Sequence, residues 1–205
     1  MNAKPRGRQF FNNPGPTNIP DRVLRAMDRP VIDFMSDEFL AIHHACHNGV
    51  KRVLKTDQNL FMYSSTGHGA WEAALVNTLS PGDHVLMYET GHFAFLWNKL
   101  ANQLGLKSEV ISLPGLEGWR HGVQADLIEQ RLKADTGHSI KAVCVVHNET
   151  STGVTSDIAA VRRAMNAAKH PALLLVDSIS GLAAADYRHD ELGVDVTISG
   201  SQKGL

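Results

Sequence analysis

Cysteine is scarce in this chain. Cys46 and Cys144 are the only two among 205 residues, too few and too isolated to make a disulfide framework. That scarcity fits a reducing setting, and a cytoplasmic location is expected. Charge of one sign is lacking too. Lys and Arg number 20 against 21 Asp and Glu, a formal net charge of −1, so there is no general reason to expect nucleic acid or an anionic membrane surface as partner. No apolar run approaches the length of a membrane span. The opening MNAKPRGRQFFNNPGP has basic residues but no apolar core behind them, unlike a secretory signal. Internal repeats and low-complexity tracts are absent as well. What remains is an ordinary globular composition, 43% hydrophobic and 20% charged, with enough chain to bury a sizeable core.

Histidine, by contrast, is plentiful, with 11 residues. His43, His44 and His47 stand at helical spacing, which raises a metal. The His-Glu-x-x-His arrangement that would sharpen that reading is missing. A partly exposed helix face explains the three, and no metal site is expected.

Residues 1–18 read as an extended arm, because the prolines of NNPGPTNIP restrict themselves and the residues before them. A short helix is expected around DRVLRAM. FLAIHHACHNGVKRVL then places Phe39, Ile42, Cys46, Val50, Val53 and Leu54 near one helical face. From Leu60 the pattern alternates. LFMYS, HVLMYE, SEVISL, KAVCVVH, ALLLVD and VDVTISG read as strands. GAWEAALVNTL, FAFLWNKLANQLG, ADLIEQRLKA and DIAAVRRAMNAAKH read as helices, the last capped by Ser156 or Asp157. In GAWEAALVNTL, Trp71, Ala74 and Leu75 fall on the core side. Several strands are apolar on both faces. The expected fold is therefore α/β, a three-layer sandwich around a mainly parallel sheet, with ligands beyond the carboxyl ends of the strands.

The residues behind each strand carry the chemistry. SSTGHGAWE puts two glycines where a strand turns into a helix, a place where backbone amides and the helix terminus favour an anion. It is neither a P-loop nor G-x-G-x-x-G, and a capped turn is its plain reading. Phe93, in ETGHFAFLW, could stack on a planar ligand or simply begin a core face. A buried strand delivers Asn148, Glu149, Thr150, Ser151 and Thr152 to one point. Asp177 directly follows a run of aliphatic residues, and an ionised carboxylate there needs a partner. A protonated ring nitrogen is one such partner; a helix cap or an internal ion pair are others. Lys203 follows the last strand and a polar turn, where a lone lysine is ordinarily just solvated. Taken together, an anion cradle, a carboxylate, an aromatic and a lysine at one sheet edge are the set that pyridoxal phosphate requires. Its phosphate needs the cradle, its ring nitrogen the carboxylate and its aldehyde a lysine for a Schiff base.

NPGPTNIPDRVLRAM, GAWEAALVNTLSPGD, HNETSTGVTSDI, HPALLLVDSIS and GVDVTISGSQKGL together resemble the class V aminotransferases of fold type I, closest to their serine–glyoxylate branch and related to the alanine–glyoxylate branch. The resemblance covers nearly the whole chain. It implies that Lys203 carries pyridoxal 5'-phosphate covalently and that Asp177 pairs with the pyridine nitrogen. It implies that Thr66, Gly67, His68 and Gln202 meet the phosphate, that Phe93 covers the ring, and that Thr150 brings a hydroxyl to the ring's hydroxyl side. Pro14, Gly15 and Pro16 match an arm that helps close the substrate pocket near a homodimer interface. The implied reaction joins L-serine and glyoxylate to give hydroxypyruvate and glycine. His68 resembles the alanine–glyoxylate branch. Alanine– and ureidoglycine–glyoxylate transfer, a cysteine desulfurase-like relative and an inactive fragment are the alternatives. Members of the family are much longer, so residues 19–205 are expected to be part of a large cofactor-binding domain, truncated, without the smaller C-terminal domain and with little turnover alone.

Overall fold

The computed structural model describes Gly7, Phe10 and residues 18–205. In chain order its elements are α1 (Asp21–Met27), α2 (Asp37–Leu54), α3 (Gly67–Thr78), β1 (His84–Glu89), α4 (His92–Gln103), β2 (Lys107–Ser112), α5 (Gly115–Gly118), α6 (Ala125–Ala134), β3 (Ile140–Val146), β4 (Asn148–Glu149), β5 (Val154–Thr155), α7 (Ile158–Ala167), β6 (Leu173–Asp177), α8 (His189–Leu192) and β7 (Val196–Ile198). Five strands form one parallel sheet in the order β2-β1-β3-β6-β7. β4 and β5 make a small antiparallel pair immediately behind β3.

Period-two alternation sends side chains to both faces of this sheet. Val85, Met87, Ala142, Cys144, Val146 and Leu175 point to one side, where they meet α3 and α4. Leu86, Tyr88, Val143, Val145, Leu174 and Val176 point to the other, where they meet α6 and α7. The helices answer at helical spacing. α3 buries Trp71, Ala74 and Leu75; α4 buries Ala94, Trp97 and Ala101. α6 buries Ile128 and Leu132, and α7 buries Ile158, Val161 and Met165. The expected three-layer α/β architecture is thus present. Asp157 is the cap of α7, its Oδ1 accepting from Ala160 N at 2.9 Å. Ser156 Oγ accepts instead from Val123 N.

Two expectations are corrected. Residues 60–64 form no strand. Their backbone finds no ladder partner among the described residues, and a strand without a partner has no hydrogen bonds to define it. Phe61 is 72% exposed. The apolar face expected on α2 is mostly open as well: of its six positions only Leu54 is buried, with Val50 packed partly against the core. Amphipathic spacing set the helix but not a covering layer. His47 on this helix uses Nε2 in a hydrogen bond with Leu60 O at 2.8 Å. Pro14, Gly15 and Pro16 lie outside the described residues. No helix among the described residues is long and apolar enough to cross a membrane.

Candidate active site

β1 has β2 on one side and β3 on the other, so the direction of winding reverses between β1 and β3. Crevices at such points, beyond the carboxyl ends of the strands, are where ligands bind in sheets of this kind. The segments leaving β1, β3, β6 and β7 all emerge at that edge.

Asp177 is the last residue of β6 and only 4% exposed. Its Oδ2 accepts from Trp71 Nε1 at 3.0 Å and its Oδ1 from Ile179 N at 2.8 Å. Burial pushes its pKa up to about 6; the Ile179 and Trp71 hydrogen bonds pull it down, the Glu149 charge adds to the rise, and the Lys203 ammonium opposes it. Each oxygen has one donor and room for more, so this buried acid is suited to a further cationic partner.

α3 begins beside it. Thr66 is its N-cap, in extended conformation, and makes no side-chain capping hydrogen bond. The first-turn amides have no side-chain acceptor among the described residues, the arrangement that favours an external anion. The glycines of this turn permit close contacts. A Cβ on Gly67 would stand 2.6 Å from Ile179 Cδ1, and one on Gly69 would stand 2.0 Å from Ser65 Oγ. His68 rests against Trp71 with ring centroids 4.5 Å apart.

Phe93, half-buried in the first turn of α4, presents its ring edge-on to Trp71 at 6.5 Å. Its helix is anchored by Glu149, which is completely buried. Glu149 Oε2 accepts from Ala94 N at 3.1 Å, and Oε1 accepts from Phe93 N at 3.3 Å, Ser151 N at 3.0 Å and Ser151 Oγ at 2.7 Å. Ser151 Oγ in turn accepts from His92 N. Half-buried Thr150 lies between these two anchored residues. At the far side, Gly200 approaches Ile179, where a Cβ would lie 3.7 Å from Cγ2. Ser199 Oγ is buried without a hydrogen-bond partner among the described residues. Gln202 is exposed and Lys203 half-buried in the turn that follows.

The structure thus draws Gly67, His68, Phe93 and Asp177 around Trp71 and Ile179, and the charge of Lys203, in the turn after β7, bears on Asp177. Thr66 and Gln202 sit on the exposed flanks, and Thr150 joins through Glu149. An open helix terminus, a buried carboxylate with spare acceptor capacity and a lysine charge beside it fit the three chemical demands of pyridoxal phosphate. Sequence reasoning assigned no role here to Trp71, Glu149 or Ile179. Trp71 read as an ordinary core residue, and the only signal for Glu149 was an acid closely behind a buried strand. Neither cysteine is among these residues: Cys144 is sealed within β3, where burial drives its thiol pKa upward, and Cys46 lies on α2.

Comparison with known proteins places this geometry in context. A family model described as Aminotransferase class-V matches residues 9–205. The chain is 51% identical over 193 residues to an L-aspartate–glyoxylate aminotransferase of Paracoccus denitrificans, covering 94% of this chain and 48% of that protein. It is 44% identical to a serine–glyoxylate aminotransferase of Arabidopsis thaliana, covering 97% of this chain and 49% of that one. A crystal structure of alanine–glyoxylate aminotransferase from Nostoc sp. superimposes with a TM-score of 0.85 at 28% identity, covering all of this chain and 52% of its own. The chain spans about half the length of the curated relatives it matches.

Proposed function

The chain belongs to the class-V aminotransferase family, and from that premise we propose that the complete protein transfers the amino group of an amino acid to glyoxylate, releasing glycine and a 2-oxo acid. The observation that carries this reading is the buried Asp177 carboxylate, influenced by the Lys203 charge, at the sheet edge where α3 begins uncapped. The preferred donor is L-serine, which would leave as hydroxypyruvate. L-Aspartate, leaving as oxaloacetate, is a second reading, supported by the higher identity to an aspartate–glyoxylate enzyme.

Pyridoxal phosphate, when bound, supplies an electron sink for negative charge developing at the donor's Cα. The chain's own residues do the rest. The first amides of α3, with Thr66, Gly67, His68 and Gln202, would hold the phosphate. Asp177 would keep a proton on the ring nitrogen. Phe93 would cover the ring, and Thr150 would give a hydroxyl to its oxygen. Lys203 would hold the cofactor, and its amine would take the proton from the donor's Cα as base and deliver it to the cofactor's C4′ as acid. Pro14, Gly15 and Pro16 help close the pocket at the interface of a homodimer. Residues 19–205 form part of the cofactor-binding domain, in a cytoplasmic protein.

The test is Lys203→Ala in the full-length protein. It should lose both the long-wavelength absorbance of lysine-bound cofactor and all measurable transfer to glyoxylate. Normal turnover in that variant would overturn the assignment. Glycine formation from glyoxylate with L-serine, L-aspartate or L-alanine as donor then decides among the substrates.

A further inference from the structure

A tryptophan indole only donates hydrogen bonds, and most buried ones meet an acceptor. Two such indoles stack in the α3–α4 layer. Trp71 and Trp97 lie 5.9 Å apart with planes within 17°, and each is 1% exposed. Trp97 Nε1 has no hydrogen-bond partner among the described residues, so this side chain serves packing. Trp71 Nε1 reaches across the sequence to a carboxylate.

We propose that Trp71 is a positioning residue for the cofactor ring: its indole N–H, 3.0 Å from Asp177 Oδ2, fixes the carboxylate that meets the ring nitrogen. The inference rests on the pyridoxal-phosphate reading of the site. The indole itself is held by Trp97 stacked on it, by the His68 ring at 4.5 Å and by the edge of Phe93 at 6.5 Å. A ring confined by three neighbours points its N–H in one direction. The other carboxylate oxygen is held from a different element, by Ile179 N. Donors from α3 and from the turn after β6 thus fix the carboxylate plane, and each oxygen keeps capacity for another donor. Trp71 also lies one helical turn after Gly67. One rigid helix therefore presents its first amides to the phosphate and, a turn later, sets the acid for the far end of the ring.

Trp71→Phe keeps an aromatic ring against Trp97 and removes the donor together with the five-membered ring that carries it. In the full-length protein it should bind pyridoxal phosphate about tenfold more weakly, the scale of one hydrogen bond to a charged acceptor, and shift the pH profile of the bound cofactor's absorbance. A second readout needs no cofactor. The Trp71 indole 1H–15N resonance of the cofactor-free protein should move with pH as the carboxyl titrates, and Asp177→Asn should abolish that movement. A wild-type protein that takes up no pyridoxal phosphate overturns the functional reading and this inference with it. If wild type binds it and Trp71→Phe binds equally well with an unchanged profile, only the inference falls. A wild-type indole resonance indifferent to pH would overturn it as well.

Discussion

Helices α3 and α4 are each 12 residues long, share one layer and begin at the same edge of the sheet, yet their first turns are built in opposite ways. At α4 the protein fills the terminus itself. His92 N donates to Ser151 Oγ, and Phe93 N and Ala94 N donate to Glu149. Gly91 makes room, since a Cβ there would fall 2.6 Å from Glu149 Cγ. At α3 the side chain of the N-cap Thr66 makes no capping hydrogen bond among the described residues. Every helix start leaves amides that need acceptors. One terminus is completed internally by a buried carboxylate, and the other has no side-chain acceptor among the described residues, as the proposed anion site requires. Position alone would not separate them, and the hydrogen bonds do.

The strongest way to break this contrast is to empty the filled terminus. Glu149→Ala strips the acceptor from the amides of Phe93, Ala94 and Ser151 and should cost about 4 kcal/mol of stability, because buried donors are left unpaired. Urea unfolding of the cofactor-free protein measures this. A loss below about 1 kcal/mol would mean that the carboxylate is not what completes α4.

The two buried acids carry the same contrast. Glu149 receives four hydrogen bonds from two neighbouring segments, whereas Asp177 receives one from Trp71 and one from Ile179. The Asp177 pKa is raised to about 6, while an unfolded aspartate titrates near ~3.9. Between those values the folded protein holds a proton that the unfolded chain has released. Stability from this group is therefore full at low pH and declines as pH rises from about 4 to about 6, by about 3 kcal/mol, then stays level. Thermal unfolding across that range, wild type minus Asp177→Asn, isolates the decline. Bound pyridoxal phosphate should flatten it by supplying the missing cation.

Much of this was legible in the sequence, and the limits have physical causes. Val85 to Tyr88, Ala142 to Val146 and Leu174 to Val176 are apolar on both faces, which only a covered sheet accommodates, so the layers and the edge bearing Asp177 and Lys203 followed. Leu60–Ser64 has strand-like residues, but a strand exists only where another backbone pairs with it, and local composition does not carry that information. The open face of α2 failed in the same way, since periodicity shows an apolar stripe and not what lies against it. Trp71 reads as core and is buried, but its bond to Asp177 spans 106 positions and arises from strand order and helix placement together. Glu149 looked like one polar residue among several until the start of α4 was seen above it.

A milder test compares caps. Asp157→Ala removes the side-chain cap of α7 and should cost about 1 kcal/mol. Thr66→Ala, at the equivalent position of α3, should leave the cofactor-free protein's stability unchanged. An equal loss at both would show that Thr66 caps its helix after all.

The smallest effect bears most directly on the open terminus. Inorganic phosphate at a concentration equal to its dissociation constant should stabilise the cofactor-free protein by only about 0.4 kcal/mol, a small but measurable shift in the unfolding midpoint. Gly69→Ala should abolish the shift, because its Cβ would displace Ser65 Oγ from a position 2.0 Å away and alter the turn that presents the amides. The substitution favours the helix itself by up to about 1 kcal/mol, so stability without phosphate holds or rises while the response to phosphate disappears. Those opposite signs separate a lost anion site from a damaged fold. Glu149→Ala should do the reverse, lowering stability while leaving the phosphate response in place. If Gly69→Ala kept the full response, the anion would be seated somewhere other than α3, and the difference between the two helix termini would not mark the site.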